Sequence, residues 1–128
     1  MTGNGKKILF VEDEEALQRA MGTMLEQKGF NVIRAMDGDI GLATARKEMP
    51  DLILLDLILP KKNGFEVLTE IKKDPAIKSI PVIVLTNLEG SEDVEKAISL
   101  GAMTYLVKAN YNLSDIFGKI EMALRSNS

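Results

Sequence analysis

Two hydrophobic periods run along this chain, and they alternate five times. Short apolar runs fall within Lys7–Val11, Asn31–Ala35, Asp51–Asp56, Pro81–Thr86 and Thr104–Lys108, and each segment reads as a β-strand. In three of them the stretches Ile8–Val11, Leu52–Leu55 and Val82–Leu85 are unbroken, the pattern of strands covered on both faces. The second is mixed, with Asn31 and Arg34 around Val32 and Ile33, which suits the edge of a sheet. Between the strands the period lengthens to that of a helix. Leu17, Ala20, Met21, Met24 and Leu25 make one stripe, with Gly29 placed as a C-terminal cap. Leu113, Ile116, Phe117, Ile120 and Leu124 make another, with Asn112 as its N-cap. Asp39–Met49, Gly64–Lys73 and Ser91–Leu100 complete five helices, and Gly101 stops the last of these before the fifth strand. The seven methionines are expected mostly on such stripes, as core filler.

This alternation predicts an α/β fold: a five-stranded parallel sheet, doubly wound by right-handed crossovers that put helices on both faces. The common order for such a sheet is 2-1-3-4-5, the flavodoxin-like arrangement, and it places the second strand at an edge. A site is then expected beyond the carboxyl ends of the strands, where the order reverses between strands one and three. Loops are short, and no repeat or Pro/Ser/Gly-rich linker interrupts them. Residues 1–128 therefore read as a single domain of ordinary size.

Composition narrows the chemistry. Without cysteine there is no disulfide, thiolate catalysis or cysteine zinc site. Without histidine there is no imidazole base and no phosphohistidine in this chain. Carboxylates, lysines, hydroxyls and a hard metal ion remain. A formal charge of −3 argues against nucleic acid as a partner. No apolar run approaches the ~20 residues of a membrane span. The segment 1–7 leads into only Ile8–Val11 before Glu12, too little for a signal peptide, so a cytoplasmic location is expected.

The strand ends carry the most specific signal. Strand one runs into Glu12 and Asp13, strand three ends at Asp56, strand four at Thr86 and strand five at Lys108. Polar residues end many strands, but three carboxylates, a hydroxyl and an ammonium on one rim ask for more. Clustered carboxylates raise one another's pKa values unless a cation neutralises them, and Mg2+ takes carboxylates, waters and phosphate oxygens. Lys108 and Thr86 suit phosphoryl oxygens, and an aspartate beside them can be the nucleophile that forms an acyl phosphate.

These motifs, in this order, resemble the receiver domain of two-component response regulators along essentially the whole chain. The residues that carry the resemblance are Glu12-Asp13, then Asp56-Leu57-Ile58-Leu59-Pro60-Lys61-Lys62-Asn63-Gly64, then Leu85-Thr86 and Tyr105-Leu106-Val107-Lys108. The resemblance implies that Asp56 is the phosphoacceptor, supplied by a histidine kinase or a histidine phosphotransfer protein. It implies Mg2+ held by Glu12, Asp13, Asp56 and the backbone carbonyl of Ile58, with Thr86 and Lys108 on the phosphoryl oxygens. Thr86 and Tyr105 would carry the switch to the face of helix four, strand five and helix five, which meets an unknown protein target and could join a monomer into a weak homodimer. The protein is then a signalling module, catalysing only its own phosphorylation and dephosphorylation, with no output domain in residues 1–128.

The sequence departs from the family in places. Ala109 follows Lys108 where proline is usual, which favours a trans bond there. Ile58 and Leu88, two residues after the acceptor and after the threonine, are apolar where the attacking water passes, and predict a long-lived phosphoryl group. Asn87 replaces a small residue and would narrow access for donors, while Leu59 for methionine is expected to be neutral. Gly3-Asn4-Gly5-Lys6 precedes a strand, lacks a full phosphate-loop spacing and reads as a turn. Lys6-Lys7, Lys61-Lys62 and Lys72-Lys73 read as solvated surface. Two rival functions remain: a pseudo-receiver that scaffolds without phosphate, and an unrelated enzyme of similar fold such as a magnesium phosphatase or flavin carrier.

Overall fold

The computed structural model describes residues 3–126. Its elements are β1 (Lys7–Val11), α1 (Glu15–Gln27), β2 (Asn31–Ala35), α2 (Gly38–Glu48), β3 (Leu52–Leu55), α3 (Gly64–Lys73), β4 (Val82–Thr86), α4 (Ser91–Ser99), β5 (Thr104–Val107) and α5 (Leu113–Ser126). All strand pairs are parallel, in the order β2-β1-β3-β4-β5. The expected doubly wound sheet is therefore present. Residues 1, 2, 127 and 128 lie outside the described residues, and with them the start of the segment 1–7 and Met1 of the methionine reading.

Two cores sandwich the sheet. Leu9, Val11, Ile53, Leu55, Val82 and Val84 point to one face and pack with Leu42 and Ala45 of α2, Leu68 and Ile71 of α3, and Ala97 of α4. Ile8, Phe10, Leu52, Leu54, Ile83 and Leu85 point to the other, against Met21 and Leu25 of α1 and Ile116 and Ile120 of α5. Alternate residues of each central strand thus serve opposite cores, which is why those strands are apolar throughout. At the edge, Asn31 and Arg34 are exposed.

Local chemistry sets the helix ends. After α1, Gly29 takes a φ of 94°. Its N–H bonds Glu26 O, and the Phe30 N–H bonds Leu25 O, the paired bonds of a Schellman motif. Gly101, with φ 108°, repeats this after α4 through Gly101 to Ile98 and Ala102 to Ala97. Asn112 Oδ1 accepts the Asp115 N–H at 2.8 Å while Asp115 Oδ2 accepts the Asn112 N–H at 3.1 Å, a reciprocal box at the start of α5. Gly3-Asn4-Gly5-Lys6 is the expected turn: Asn4 and Gly5 both have positive φ, and the Lys6 N–H closes on Gly3 O at 3.0 Å.

Several sequence readings need correction. Ala20 is exposed, while Met21 and Leu25 are buried, Leu17 and Met24 pack against the same core in part, and Gln18 and Gly22 join the buried face. Asp51 and Pro81 lie just before their strands, while Asp56 and Lys108 lie just after theirs. The methionines are not mainly core: Met21 is fully buried, but Met36, Met49, Met103 and Met122 are exposed, because loops and outward helix faces place them there. Nor is Lys72 simple surface. It is half-buried, its Nζ donates to Ile80 O and Lys78 O, and burial pulls its pKa below the ordinary value.

Gly118 sits inside α5, and a methyl group there would meet nothing within 4 Å. Gly118→Ala should therefore stabilise the fold by about 0.5–1 kcal/mol through helix propensity alone. Urea denaturation measures this, and an unchanged midpoint would contradict it.

Candidate functional site

Strand register brings the predicted residues together. Val11 pairs with both Ala35 and Leu55, so β1 and β3 end level, and Leu55 pairs with Val84, so β4 runs two residues further to Thr86. The residues just beyond, Glu12, Asp13 and Asp56, meet at the point where the strand order reverses. Glu12, Asp13 and Asp56 each offer a carboxylate oxygen within 4.8 Å of the others. Glu12 is fully buried and Asp56 nearly so, while Asp13 is exposed.

Lys108 enters from the far edge of this group. It opens a 3-10 turn, Lys108–Asn110, immediately after β5. No peptide bond among the described residues is cis, in line with the trans Lys108–Ala109 bond expected from the missing proline. Its Nζ donates to Asp56 Oδ2 at 2.9 Å and forms an ion pair with Glu12 Oε1 at 2.7 Å. Exposed Glu14 stands 3.9 Å away. Asp56 Oδ1 is held by the Ile58 N–H at 3.1 Å, and Glu12 Oε2 by the Glu14 N–H at 3.0 Å.

Thr86 is fully buried at the end of β4, and its Oγ1 accepts the Leu88 N–H at 3.5 Å. No direct bond joins Thr86 to Asp56 among the described residues. Tyr105 is half-buried on β5, and its hydroxyl donates to Leu88 O at 2.8 Å, tying that strand to the loop after β4. The two apolar residues expected beside the acceptor separate here. Ile58 is 54% exposed, whereas Leu88 packs partly into the core below the sheet rim. Asn87 is exposed.

The charges do not balance. Three carboxylates against one ammonium leave a formal charge of two negative, which one divalent cation would neutralise. Burial raises the Glu12 pKa from its ordinary 4.5, aided by Asp56, and neither Lys108 nor the Glu14 N–H offsets it. Burial would lower Lys108, yet Glu12 and Asp56 prevail and hold it above 10.5. The lysine grips its proton because it faces two carboxylates, and Glu12 is under-compensated because it shares one lysine. Burial, with Asp93 and Asp56, raises Tyr105.

A raised carboxylate pKa carries a sign for stability. The folded state holds the Glu12 proton at pH values where the unfolded chain has lost it. This contribution therefore weakens the fold as pH rises from 4.5 through the raised value, by at most about 1.4 kcal/mol per unit. In metal-free buffer, Glu12→Gln should remove that downward slope; parallel stability–pH curves for the two proteins would contradict it.

Sequence reading missed one residue here. Gln18 on α1 is 97% buried and its Nε2 lies 2.8 Å from Phe10 O, 3.1 Å from Glu12 O and 3.2 Å from Ala35 O. The available signal was a polar residue at i relative to Met21, Gly22 and Leu25 at i+3, i+4 and i+7.

Comparison with known families matches residues 8–121 to the Response regulator receiver domain. Response regulator PleD of Caulobacter vibrioides is 39% identical over 102 residues, covering 80% of this chain and 22% of PleD. The chain spans about half or less of the length of the first curated relatives it matches. Among solved structures, the Mn2+-bound form of response regulator Rcp1 is 40% identical with a TM-score of 0.79, over 91% of this chain and 90% of that one. The phosphorylated cyanobacterial phytochrome response regulator RcpA is 39% identical with a TM-score of 0.80, over 92% and 90%.

Proposed function

Since the chain belongs to the response regulator receiver domain family, we propose that Asp56 accepts a phosphoryl group and that the resulting acyl phosphate switches partner binding. Receiver domains are signalling modules of two-component systems, whose donors are histidine kinases or histidine phosphotransfer proteins. The observation that carries the reading is the environment of Asp56: a buried carboxylate 2.9 Å from Lys108 Nζ and within 4.8 Å of the Glu12–Asp13 pair.

In the transfer, a carboxylate oxygen of Asp56 attacks phosphorus as the N–P bond of the donor's phosphohistidine breaks, and the electron pair leaves with the imidazole. Two negative groups must approach each other for this to happen. Lys108 offsets part of that charge, and its bond to Asp56 holds the carboxylate in place. Glu12, Asp13, Asp56 and the Ile58 carbonyl would hold Mg2+, which neutralises phosphoryl charge when bound. The match to a Mn2+-bound relative supports a divalent cation in this group. Thr86 lies at the end of β4 to receive a phosphoryl oxygen. Its movement would pull on Leu88 through the N–H it now holds and so on the Tyr105 hydroxyl, which links the site to α4 and β5. The downstream partner would read the face of α4, β5 and α5.

Intact mass after incubation with Mg2+ and acetyl phosphate tests the reading. Wild type should gain one phosphoryl mass and Asp56→Asn none. If acetyl phosphate fails because Asn87 restricts access, a titration with beryllofluoride and Mg2+ replaces it, and failure of both would favour a phosphate-independent scaffold. The same experiment times the label. With apolar Ile58 two residues after the acceptor and apolar Leu88 two after the threonine, the phosphoryl group should persist for minutes or longer, and loss within seconds would contradict that assignment.

A further inference from the structure

We propose that Gln18 is a positioning residue for the acidic pair, setting the peptide between Glu12 and Asp13 through its side-chain amide. This rests on the reading above that the pair holds a divalent cation. β1 and β2 end level, at Val11 and its partner Ala35, and Glu12 follows immediately. Phe10 O and Glu12 O, two residues apart, face the same side, as alternate residues of a strand do. Gln18 Nε2 reaches both, and also Ala35 O. It sits where both strands end and bonds carbonyls on each side of that end.

The placement matters because of which peptide is held. The Glu12 N–H donates to Ala35 O at 2.9 Å, and the Glu12 carbonyl accepts from Gln18 at 3.1 Å. Both peptide groups of Glu12 are thus pinned. The second of these is the peptide from which Asp13 projects, and Asp13 is itself exposed and so depends on that peptide for its direction. Gln18 Oε1, by contrast, is buried without a hydrogen-bond partner among the described residues. A core-facing position that tolerates an orphan oxygen is held for its donors, since an apolar side chain would fill the same space without that penalty.

The test is calorimetric titration of wild type, Gln18→Met and Ile77→Val with Mg2+ and, separately, Mn2+. Ile77 lies in the turn before β4, at the opposite end of the sheet, and serves as a control for lost stability. Gln18→Met should weaken the cation about tenfold, the usual effect of removing a group that orients ligands. It should also accelerate hydrogen exchange at the Glu12 amide while the Ile53 amide, bonded to Pro81 O, stays protected. Ile77→Val should lower the melting temperature and leave affinity unchanged. Equal affinity in Gln18→Met and wild type, or equal losses in both variants, would overturn the proposal. A wild type that binds neither cation would instead overturn the parent reading, and this proposal with it. If Gln18→Met does not fold, Gln18→Asn, with its amide one methylene short of the carbonyls, takes its place under the same criteria.

Discussion

Lys108→Met should lose about 3 kcal/mol of stability in metal-free buffer at neutral pH, the usual scale for removing one partner of a buried ion pair. The lysine is the only positive side chain in contact with Glu12 and Asp56 among the described residues, and both carboxylates are buried. Without it they face Asp13 and each other uncompensated. Glu12, whose pKa already stands above 4.5, would respond by taking up a proton, which caps the cost. The informative part is what happens on adding Mg2+. A divalent cation supplies the missing charge, so it should recover most of the loss and should bind the variant more tightly than wild type, because the ammonium no longer repels it. Phosphorylation by acetyl phosphate should nevertheless fall by several orders of magnitude, since neutralising the entering phosphoryl oxygens is the part that methionine cannot do. Urea denaturation with and without Mg2+ separates these effects. A loss that is the same in both buffers would mean that the lysine stem acts by packing and that its charge is incidental.

That prediction was only half visible in the sequence. The strand positions were legible because Ile8–Val11, Leu52–Leu55 and Val82–Leu85 serve two cores and so carry no polar residue to blur them. The glycine stops were legible because Gly29 and Gly101 adopt a φ that other residues avoid. The rim followed from the strands, since whatever ends a parallel strand stands at the switch point. What stayed hidden depends on paths through loops. Ile58 and Leu88 are alike as residues, yet one points to solvent and the other into the core. Lys108 is one residue past the strand it was expected to end, and the 3-10 turn that it opens does not follow from apolar periodicity. On α1 the expected stripe was drawn through apolar residues, so it excluded Gln18, the polar member of the true core face, and admitted Ala20, which is exposed. A hydrophobic rule cannot find a residue kept in the core for its hydrogen bonds.

Close approaches of backbone to backbone are equally silent in a sequence, and at Gly64 a single methyl group would meet one beside the acceptor. Gly64 opens α3 with its N–H bonded to Leu57 O at 2.9 Å, and a Cβ there would overlap the Asp56 carbonyl oxygen and the Leu57 Cα. Neither atom can rotate away. Gly64→Ala should therefore force the start of α3 away from the β3 exit and cost about 3 kcal/mol, at the upper end of ordinary overpacking. The displaced atoms belong to the residue that carries the acceptor carboxylate and to its neighbour. The variant should thus also phosphorylate more slowly, even at temperatures where it is fully folded. Gly22→Ala provides the contrast. The atoms nearest a methyl there belong to the end of the Arg34 side chain, which is free to swing aside at the expense of an exposed 3.4 Å pair with Glu26. With the helix propensity of alanine added, Gly22→Ala should be neutral or stabilising by a few tenths of a kcal/mol to about 1 kcal/mol. Thermal denaturation and acetyl-phosphate labelling of both variants decide the matter. Equal stability changes would show that α3 can slide without cost. Unimpaired labelling in a destabilised Gly64→Ala would show that the acceptor is positioned from β3 alone, with no help from the helix that follows it.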